Sequence, residues 1–561
     1  MARNQSRALA VAGHHVTLQI SRTVVTARFT PTRLILLTGV FITIFLNAAF
    51  FGNALEAFAG QPNLSLHMLS LALLLLCLTV LVAALLGIGR ALKPVLITMV
   101  LVAAPAAYFM DTYNVVVDTD MINNATATNW AETRDLLSWR LLAYLAAFAV
   151  LPSLVIAFAR VVRSDTARAV RARLLLIVST LLVIGALLAL SSGFYASYFR
   201  EHKSLRYYAN PATPLYSLAR YATSRTRTGT QEVTAIGEDA RITEQDIDRE
   251  LVIMVVGETA RADHFSLNGY ARETNPQLAR EDVVSFTQMS SCGTSTAISV
   301  PCMFAIYDRS DFSDDKAQST ENALDVLARS GVNVLWRDNN SSSKGVADRV
   351  AAVDYRSPEN NPVCDEECRD MGMLDGLQAY IDAHPTGDIL VVLHQMGSHG
   401  PAYHKRYPQD FGRFTPTCDT NELATCAAEQ ITNSYDNTIL YTDHFLDAAI
   451  QLLRANDNHF ETALMYVSDH GESLGESGVY LHGMPYFVAP QAQTHVAALM
   501  WFGRNFVDMD STTLRAIRDK PLSHDNVFHT LLGMFEVQST VYDAQRDILN
   551  IARSAQTSTQ R

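Results

Sequence analysis

Apolar residues fall into two regimes along the chain. Up to about residue 200 they form five charge-free stretches, near 34–55, 66–88, 94–110, 141–159 and 174–199. Each is long enough to cross a bilayer as a helix, for which about 20 apolar residues serve. The first is too long for the apolar segment of a cleaved signal peptide, and four more follow it. Beyond residue 200 the apolar runs shorten to strand length. Leu251-Val-Ile-Met-Val-Val256, Ile389-Leu-Val-Val-Leu393 and Thr462-Ala-Leu-Met-Tyr-Val467 suit strands buried on both faces of a parallel sheet. The pattern predicts a domain of five transmembrane helices (residues 1–199), a bridging segment (200–247) and an α/β domain (248–561) of a size that forms one core. The bridge, with Asn210-Pro-Ala-Thr-Pro214 and a Thr/Arg-rich run at 223–230, suits a connector lying over the membrane surface, and residues 554–561 suit a frayed tail.

Each of the three strands ends in a residue that binds metals. Glu258 follows the first, His394 ends the second with His399 shortly after, and Asp469-His470 follow the third. Open α/β sheets keep their sites at such strand ends. One acidic strand end is ordinarily a helix cap or a turn. Three that carry Glu, His and Asp-His together point to a divalent metal site.

Charge sets the orientation. The N-terminal tail (Arg3, Arg7, Arg22, Arg28, Arg33), the second–third connection (Arg90, Lys93) and the fourth–fifth connection (Arg160, Arg163, Arg168, Arg171, Arg173) are basic. The third–fourth loop carries Asp111, Asp118, Asp120, Glu132 and Asp135 against only Arg134 and Arg140. The positive-inside rule places the basic loops in the cytoplasm, and five crossings then place the α/β domain on the far side. Cysteine usage agrees. Cys77 lies in the second apolar stretch, and the other six form three close pairs in the α/β domain, as disulfides in an oxidising compartment do. The net charge of −12 argues against a nucleic-acid partner.

Between the first two strands, Ser291-Cys-Gly-Thr-Ser-Thr-Ala-Ile-Ser-Val-Pro-Cys302 suggests a turn opening a helix. Amides at a helix N-terminus favour a phosphate, and a hydroxyl there beside a metal becomes a nucleophile at neutral pH. Thr294, Ser295, Thr296 and Ser299 all satisfy that chemistry.

The motifs Gly257-Glu-Thr-Ala-Arg261, Ser291-Cys-Gly-Thr-Ser-Thr296, Trp336-Arg-Asp-Asn-Asn340, His394-Gln-Met-Gly-Ser-His-Gly-Pro401 and Ser468-Asp-His-Gly-Glu-Ser473 together resemble those of the lipid A phosphoethanolamine transferases. This family includes the mobile colistin-resistance enzymes and sits in the alkaline phosphatase superfamily. The resemblance implies an alkaline-phosphatase/sulfatase-like fold in the periplasm, on a multi-pass anchor in a Gram-negative inner membrane, acting as a monomer. It implies Thr296 as nucleophile and a zinc ion held by Glu258, Thr296, Asp469 and His470, with a second, weaker zinc or the substrate phosphate at His399 and His482. Ser341 and Lys344 match substrate contacts, and Asn124, Thr128 and Glu132 match head-group contacts whose spacing of four places them on one helix face. The implied disulfides are Cys292–Cys302, Cys364–Cys368 and Cys418–Cys426. The implied reaction moves phosphoethanolamine from phosphatidylethanolamine through a phosphothreonine to lipid A or the lipopolysaccharide core, giving polymyxin resistance. The alternatives are a glycerol-phosphate transferase of the lipoteichoic-acid-synthase type, a membrane-tethered sulfatase or phosphatase, and a sensor with a degenerate hydrolase domain. Intact ligand positions disfavour the last.

Overall fold

The structure, a computed structural model, describes residues 28–61, 63–127, 130–162, 165–200, 202–227, 233–243 and 248–559. The chain divides into two compact units, one made of residues 1–119 and 137–222 and the other of residues 120–136 and 223–561.

In the first unit four described helices are long and apolar enough to cross a membrane: Leu64–Leu86, Gly89–Tyr113, Trp139–Phe158 and Thr166–Leu190. Pro31–Phe45 and Ala48–Ala57, bent by 56°, make a fifth if the pair counts as one broken span. Breaking a helix in lipid frees carbonyls that no water can satisfy. Two buried asparagines meet that demand. Asn47, at the break, donates to the Ile42 carbonyl at 3.0 Å and the Asn210 carbonyl at 2.9 Å. Asn210 in turn donates its amide to the Leu46 and Ala103 carbonyls at 2.9 and 2.7 Å. The last long helix begins at Thr166, before the apolar run, because basic helix formers extend it, and Arg173 donates to the Ala84 carbonyl at 2.8 Å. It stops at Ser191, and a separate helix, Ser192–Arg200, follows. Leu66, Leu86, Leu151, Phe158, Leu175 and Leu182 stand exposed on these helices, an apolar surface suited to lipid contact.

The second unit is built on an eight-stranded sheet. Its strands in chain order are β1 (Glu250–Gly257), β2 (Val284–Ser290), β3 (Asn333–Asp338), β4 (Ala351–Asp354), β5 (Ile389–His394), β6 (Glu461–Ser468), β7 (His495–Phe502) and β8 (Leu522–Ser523). Their spatial order is β8-β2-β7-β6-β1-β5-β3-β4, and only β7 runs against its neighbours. β1 is buried along its whole length, and its side chains alternate between two cores. Val252, Met254 and Val256 face helices Thr296–Phe304, Ala323–Arg329 and Val527–Met534, whereas Leu251, Ile253 and Val255 face the long helix Ala428–Asn456. The strand is thus apolar throughout because both faces are covered. Residues 554–559, expected as a frayed tail, instead complete the helix Ile548–Thr559, and Ala555 packs on the core. In the bridge, Ala212–Arg227 is helical.

Gly257 ends β1 against the buried Tyr466, whose ring a Cβ would meet at 2.5 Å. Gly257→Ala is expected to overpack this point and cost about 1–3 kcal/mol. A thermal melt in detergent checks it, and an unchanged midpoint would contradict the packing.

Candidate active site and metal centre

Strand register assembles the site. β1 and β6 are parallel with Gly257 opposite Ser468, so Glu258 and Asp469 leave the sheet side by side. The Asp469 amide donates to the Gly257 carbonyl at 2.9 Å, and the Thr259 amide donates to Asp469 Oδ1 at 3.1 Å. His470 follows directly, with Nε2 at 3.4 Å from Glu258 Oε1 and 3.3 Å from Asp469 Oδ2. All three side chains are buried, and each offers a ligand atom within 4.8 Å of the others.

Thr296 begins the helix Thr296–Phe304 and brings its hydroxyl to this cluster, 3.1 Å from Glu258 Oε2 and 3.4 Å from His470 Nε2. Two other hydroxyls in the turn are engaged elsewhere. Thr294 donates to the Met484 carbonyl at 2.7 Å, and Ser299 Oγ accepts from the Gly293 amide at 3.1 Å. Ser295 is the residue capping the helix. The Cys292–Cys302 disulfide brackets the turn, and Cys364–Cys368 and Cys418–Cys426 close two loops. Cys77 is free.

The charges in the cluster conflict. Burial, reinforced by the Glu258 charge, pushes the Asp469 carboxyl up to about 7. Burial opposes the charged form of His470, but the Asp469 charge and the Glu258 hydrogen bond outweigh it and raise the imidazole to about 10. Burial also works against the Glu258 carboxylate. The His470 hydrogen bond and charge, with His399 and His482, hold it well below the usual range. Asp469 Oδ2, moreover, is buried and has no hydrogen-bond partner among the described residues. Two buried carboxylates, one with an unused oxygen, beside an imidazole nitrogen form a donor set that a zinc-type cation fits.

His482 and His399 extend this row. The His482 ring centroid lies 4.2 Å from that of His470 and 5.7 Å from that of His399. His482 Nδ1 lies 2.8 Å from Glu472 Oε2, and Tyr403 donates to Glu472 Oε1 at 2.6 Å. His470, Glu472 and His482 form a second group of metal-binding type. Lys344 Nζ donates to Ser341 Oγ at 2.6 Å. Asn124 is half-buried on helix Thr119–Ala127, and Glu132 lies on Trp130–Leu136, with residues 128 and 129 between them outside the described residues. Thr128 lies outside the described residues, as does the side chain of Glu132. A cavity of about 510 Å³ is lined by Ala297, Pro301, Lys344, Arg349, Asp314 and Asn123. Neither Thr296 nor the carboxylate cluster lines this cavity.

His394, a strand-end metal candidate in the sequence, belongs instead to a buried pair. β3 and β5 align Asp338 with His394, and Asp338 Oδ2 lies 3.0 Å from His394 Nδ1. Burial works against the Asp338 carboxylate, but His394 holds it down at about 2. Three further residues had no role in the sequence analysis. Asn340 donates to Glu258 Oε2 at 2.7 Å and Thr259 to Glu258 Oε1 at 2.6 Å. His524, kept neutral by burial with its value lowered to about 3, accepts from the Cys292 amide and donates to the Ser468 carbonyl, each at 3.0 Å. It ties the turn before Thr296 to β6. Asn340 sits in a motif visible in the sequence, whereas nothing local marks His524.

The mixed sheet with a buried carboxylate–histidine cluster at its strand ends, preceded by membrane-length helices, defines a sulfatase-like enzyme with a membrane domain. The sulfatase family model matches residues 250–537, and the model described as phosphoethanolamine transferase EptA/EptB matches residues 75–226. Two Escherichia coli relatives are similar over most of the chain. Phosphatidylethanolamine transferase Mcr-1 is 44% identical over 90% of this chain and 95% of its own, and phosphatidylethanolamine transferase Mcr-2 is 43% identical over 89% and 94%. The solved structure of the integral membrane lipooligosaccharide phosphoethanolamine transferase A (EptA) from Neisseria meningitidis superposes with a TM-score of 0.89 at 33% identity, covering 94% of this chain and 99% of that one. The chain belongs to the phosphoethanolamine transferase family.

A pH signature follows from the cluster. Asp469 and His470 have folded-state values above their ordinary ones, so stability from their protonated forms is present at low pH and is lost as pH rises through about 7 and then about 10. Metal-free protein is expected to lose melting temperature from about pH 6 to 8, and added zinc should restore it most at the upper end. Melting curves with and without chelator check this. Identical curves would contradict it.

Proposed function

We propose that this chain transfers phosphoethanolamine from phosphatidylethanolamine to lipid A, with Thr296 as the nucleophile. The observation that carries the assignment is the Thr296 hydroxyl, set at a helix N-terminus and hydrogen-bonded to Glu258 beside His470, in a chain of this family. In the first half-reaction Thr296 Oγ1 bonds to phosphorus and the bond from phosphorus to the diacylglycerol oxygen breaks. Glu258, held ionised, accepts the hydroxyl hydrogen bond, and diacylglycerol leaves with a proton. In the second, an acceptor phosphate oxygen bonds to phosphorus, the Thr296–phosphorus bond breaks, and Thr296 Oγ1 takes up the proton that the acceptor phosphate gives up. The amides of the first turn of Thr296–Phe304 favour the phosphoryl charge. Asn340 and Thr259 orient Glu258, and Glu472 fixes His482 through Nδ1, so Nε2 is the nitrogen left for the phosphoryl group.

Glu258, Thr296, Asp469 and His470 would hold a zinc ion, which would supply positive charge favouring the ionised hydroxyl and offsetting charge on the transferring group. Ser341, Lys344 and His399 are read as phosphate contacts, and Asn124, Thr128 and Glu132 as head-group contacts. His399 and His482 also suit a second, weaker zinc. The α/β unit is read as periplasmic on five inner-membrane spans of a Gram-negative cell. Three disulfides and the basic loops on the opposite side support that placement. Adding an ammonium to lipid A lowers its negative charge, which accounts for polymyxin resistance as a consequence.

Incubation with phosphatidylethanolamine should leave a phosphoethanolamine adduct on the Thr296 peptide by mass spectrometry, with release of diacylglycerol. Thr296→Ala should lose about a thousandfold or more in transfer, and Thr296→Ser should keep part of it. An adduct on Thr294 or Ser299 would displace the nucleophile, and a glycerophosphate adduct from phosphatidylglycerol would favour the alternative donor.

A further inference from the structure

Residues 120–136, which join two membrane-length helices in sequence, belong to the catalytic unit and are fastened to it at three described places. Asn123 donates to Asp314 Oδ2 at 2.9 Å. Met121 packs so closely on Gly483 that a Cβ there would meet its Cε at 2.8 Å, and Gly483 is the neighbour of His482. The third and most heavily bonded is Asp135, 3% exposed, which receives Lys405 Nζ at 2.5 Å and Arg406 Nη2 at 2.8 Å, while its backbone carbonyl accepts from Asn421 at 2.6 Å.

Arg406 extends this contact to the site. It is buried, its charge is shared between Asp135 and Glu367, and its Nε donates to the His399 carbonyl at 2.7 Å. The same segment therefore touches the surroundings of both candidate substrate histidines, His399 through Arg406 and His482 through Gly483. Burial works against the Asp135 carboxylate, but the Arg406 charge and the hydrogen bonds from Lys405 and Arg406 hold it below its ordinary value. Removing its charge would leave the buried Arg406 and the half-buried Lys405 without the carboxylate that draws the segment onto them, Arg406 keeping only Glu367.

We propose that Asp135 is a positioning residue that clamps the 120–136 segment over the His399 and His482 loops, so that the segment holds the head group of the lipid donor against them. This rests on the donor reading above. Without the Asp135 charge, Arg406 keeps Glu367 and the His399 carbonyl, so the histidine loop stays in place while the segment lifts. The two consequences separate in kinetics. A donor that needs the segment suffers, and a small soluble diester that needs only Thr296 and the histidines does not.

The test compares full-length wild type, Asp135→Asn, Asp135→Glu and Arg406→Met, using phosphatidylethanolamine in phosphatidylcholine vesicles and methyl p-nitrophenyl phosphate, a diester without the ethanolamine head group, as the soluble donor. Asp135→Asn should raise KM for the lipid donor about tenfold, the worth of one charge-assisted contact, and leave kcat/KM for the soluble donor within about twofold. Asp135→Glu should recover most of the lipid KM, and Arg406→Met should lower both reactions. Equal losses with both donors, no loss with either, or an Asp135→Glu variant as impaired as Asp135→Asn would overturn the proposal. Should Asp135→Asn fail to fold in a detergent melt, Asn421→Ala loosens the same segment without an unpaired charge and must show the same donor split. A wild type that cleaves the soluble donor but not phosphatidylethanolamine would instead overturn the donor reading, a result visible before any variant is compared.

Discussion

The site depends on two carboxylates forced together in the interior. In-register pairing of β1 and β6 sets Glu258 beside Asp469, and the sheet that does this is sealed by apolar cores on both faces. Two buried negative charges at this spacing repel, and burial denies them water. His470 offsets part of that charge, yet Asp469 is still pushed up to about 7 and keeps an oxygen without a hydrogen bond. A divalent cation would resolve the conflict, and the resulting charge balance is what the proposed attack of the Thr296 hydroxyl on phosphorus requires.

Around this centre the remaining polar residues restrict movement. Asn340 and Thr259 fix Glu258, Glu472 and Tyr403 fix His482, and His524 links the Cys292 amide to the Ser468 carbonyl, so the turn before Thr296 and the end of β6 are held together. Catalysis by such a site is mainly positioning and preorganised charge. The membrane unit shows similar physics in a drier solvent, where Asn47 and Asn210 satisfy the carbonyls of a broken helix.

Much of this was legible in the sequence because buried strands are continuous apolar runs and their ends are abrupt. Glu258, Asp469 and His470 could be read for that reason. His394 looked the same, but register placed it one step earlier, opposite Val256 and Asp338, where a neighbouring carboxylate claims it. Helix boundaries were less legible. Hydropathy does not register the break at Asn47, nor the stop at Ser191, since both are decided by polar residues inside apolar stretches. Contacts such as Asp135 with Lys405, 270 residues apart, have no local trace at all. Among the hydroxyls of residues 294–299 the residues alone left four candidates and the family resemblance pointed to Thr296; the fold adds that this hydroxyl faces Glu258.

The most direct measurement is mass spectrometry of lipid A from a Gram-negative host that lacks its own phosphoethanolamine transferases and expresses this chain or its Thr296→Ala variant. Lipid A heavier by one phosphoethanolamine group with the intact chain, and unmodified with Thr296→Ala at equal expression, is the expected result. Lipid A unmodified in both cells, or modified equally in both, would contradict the account.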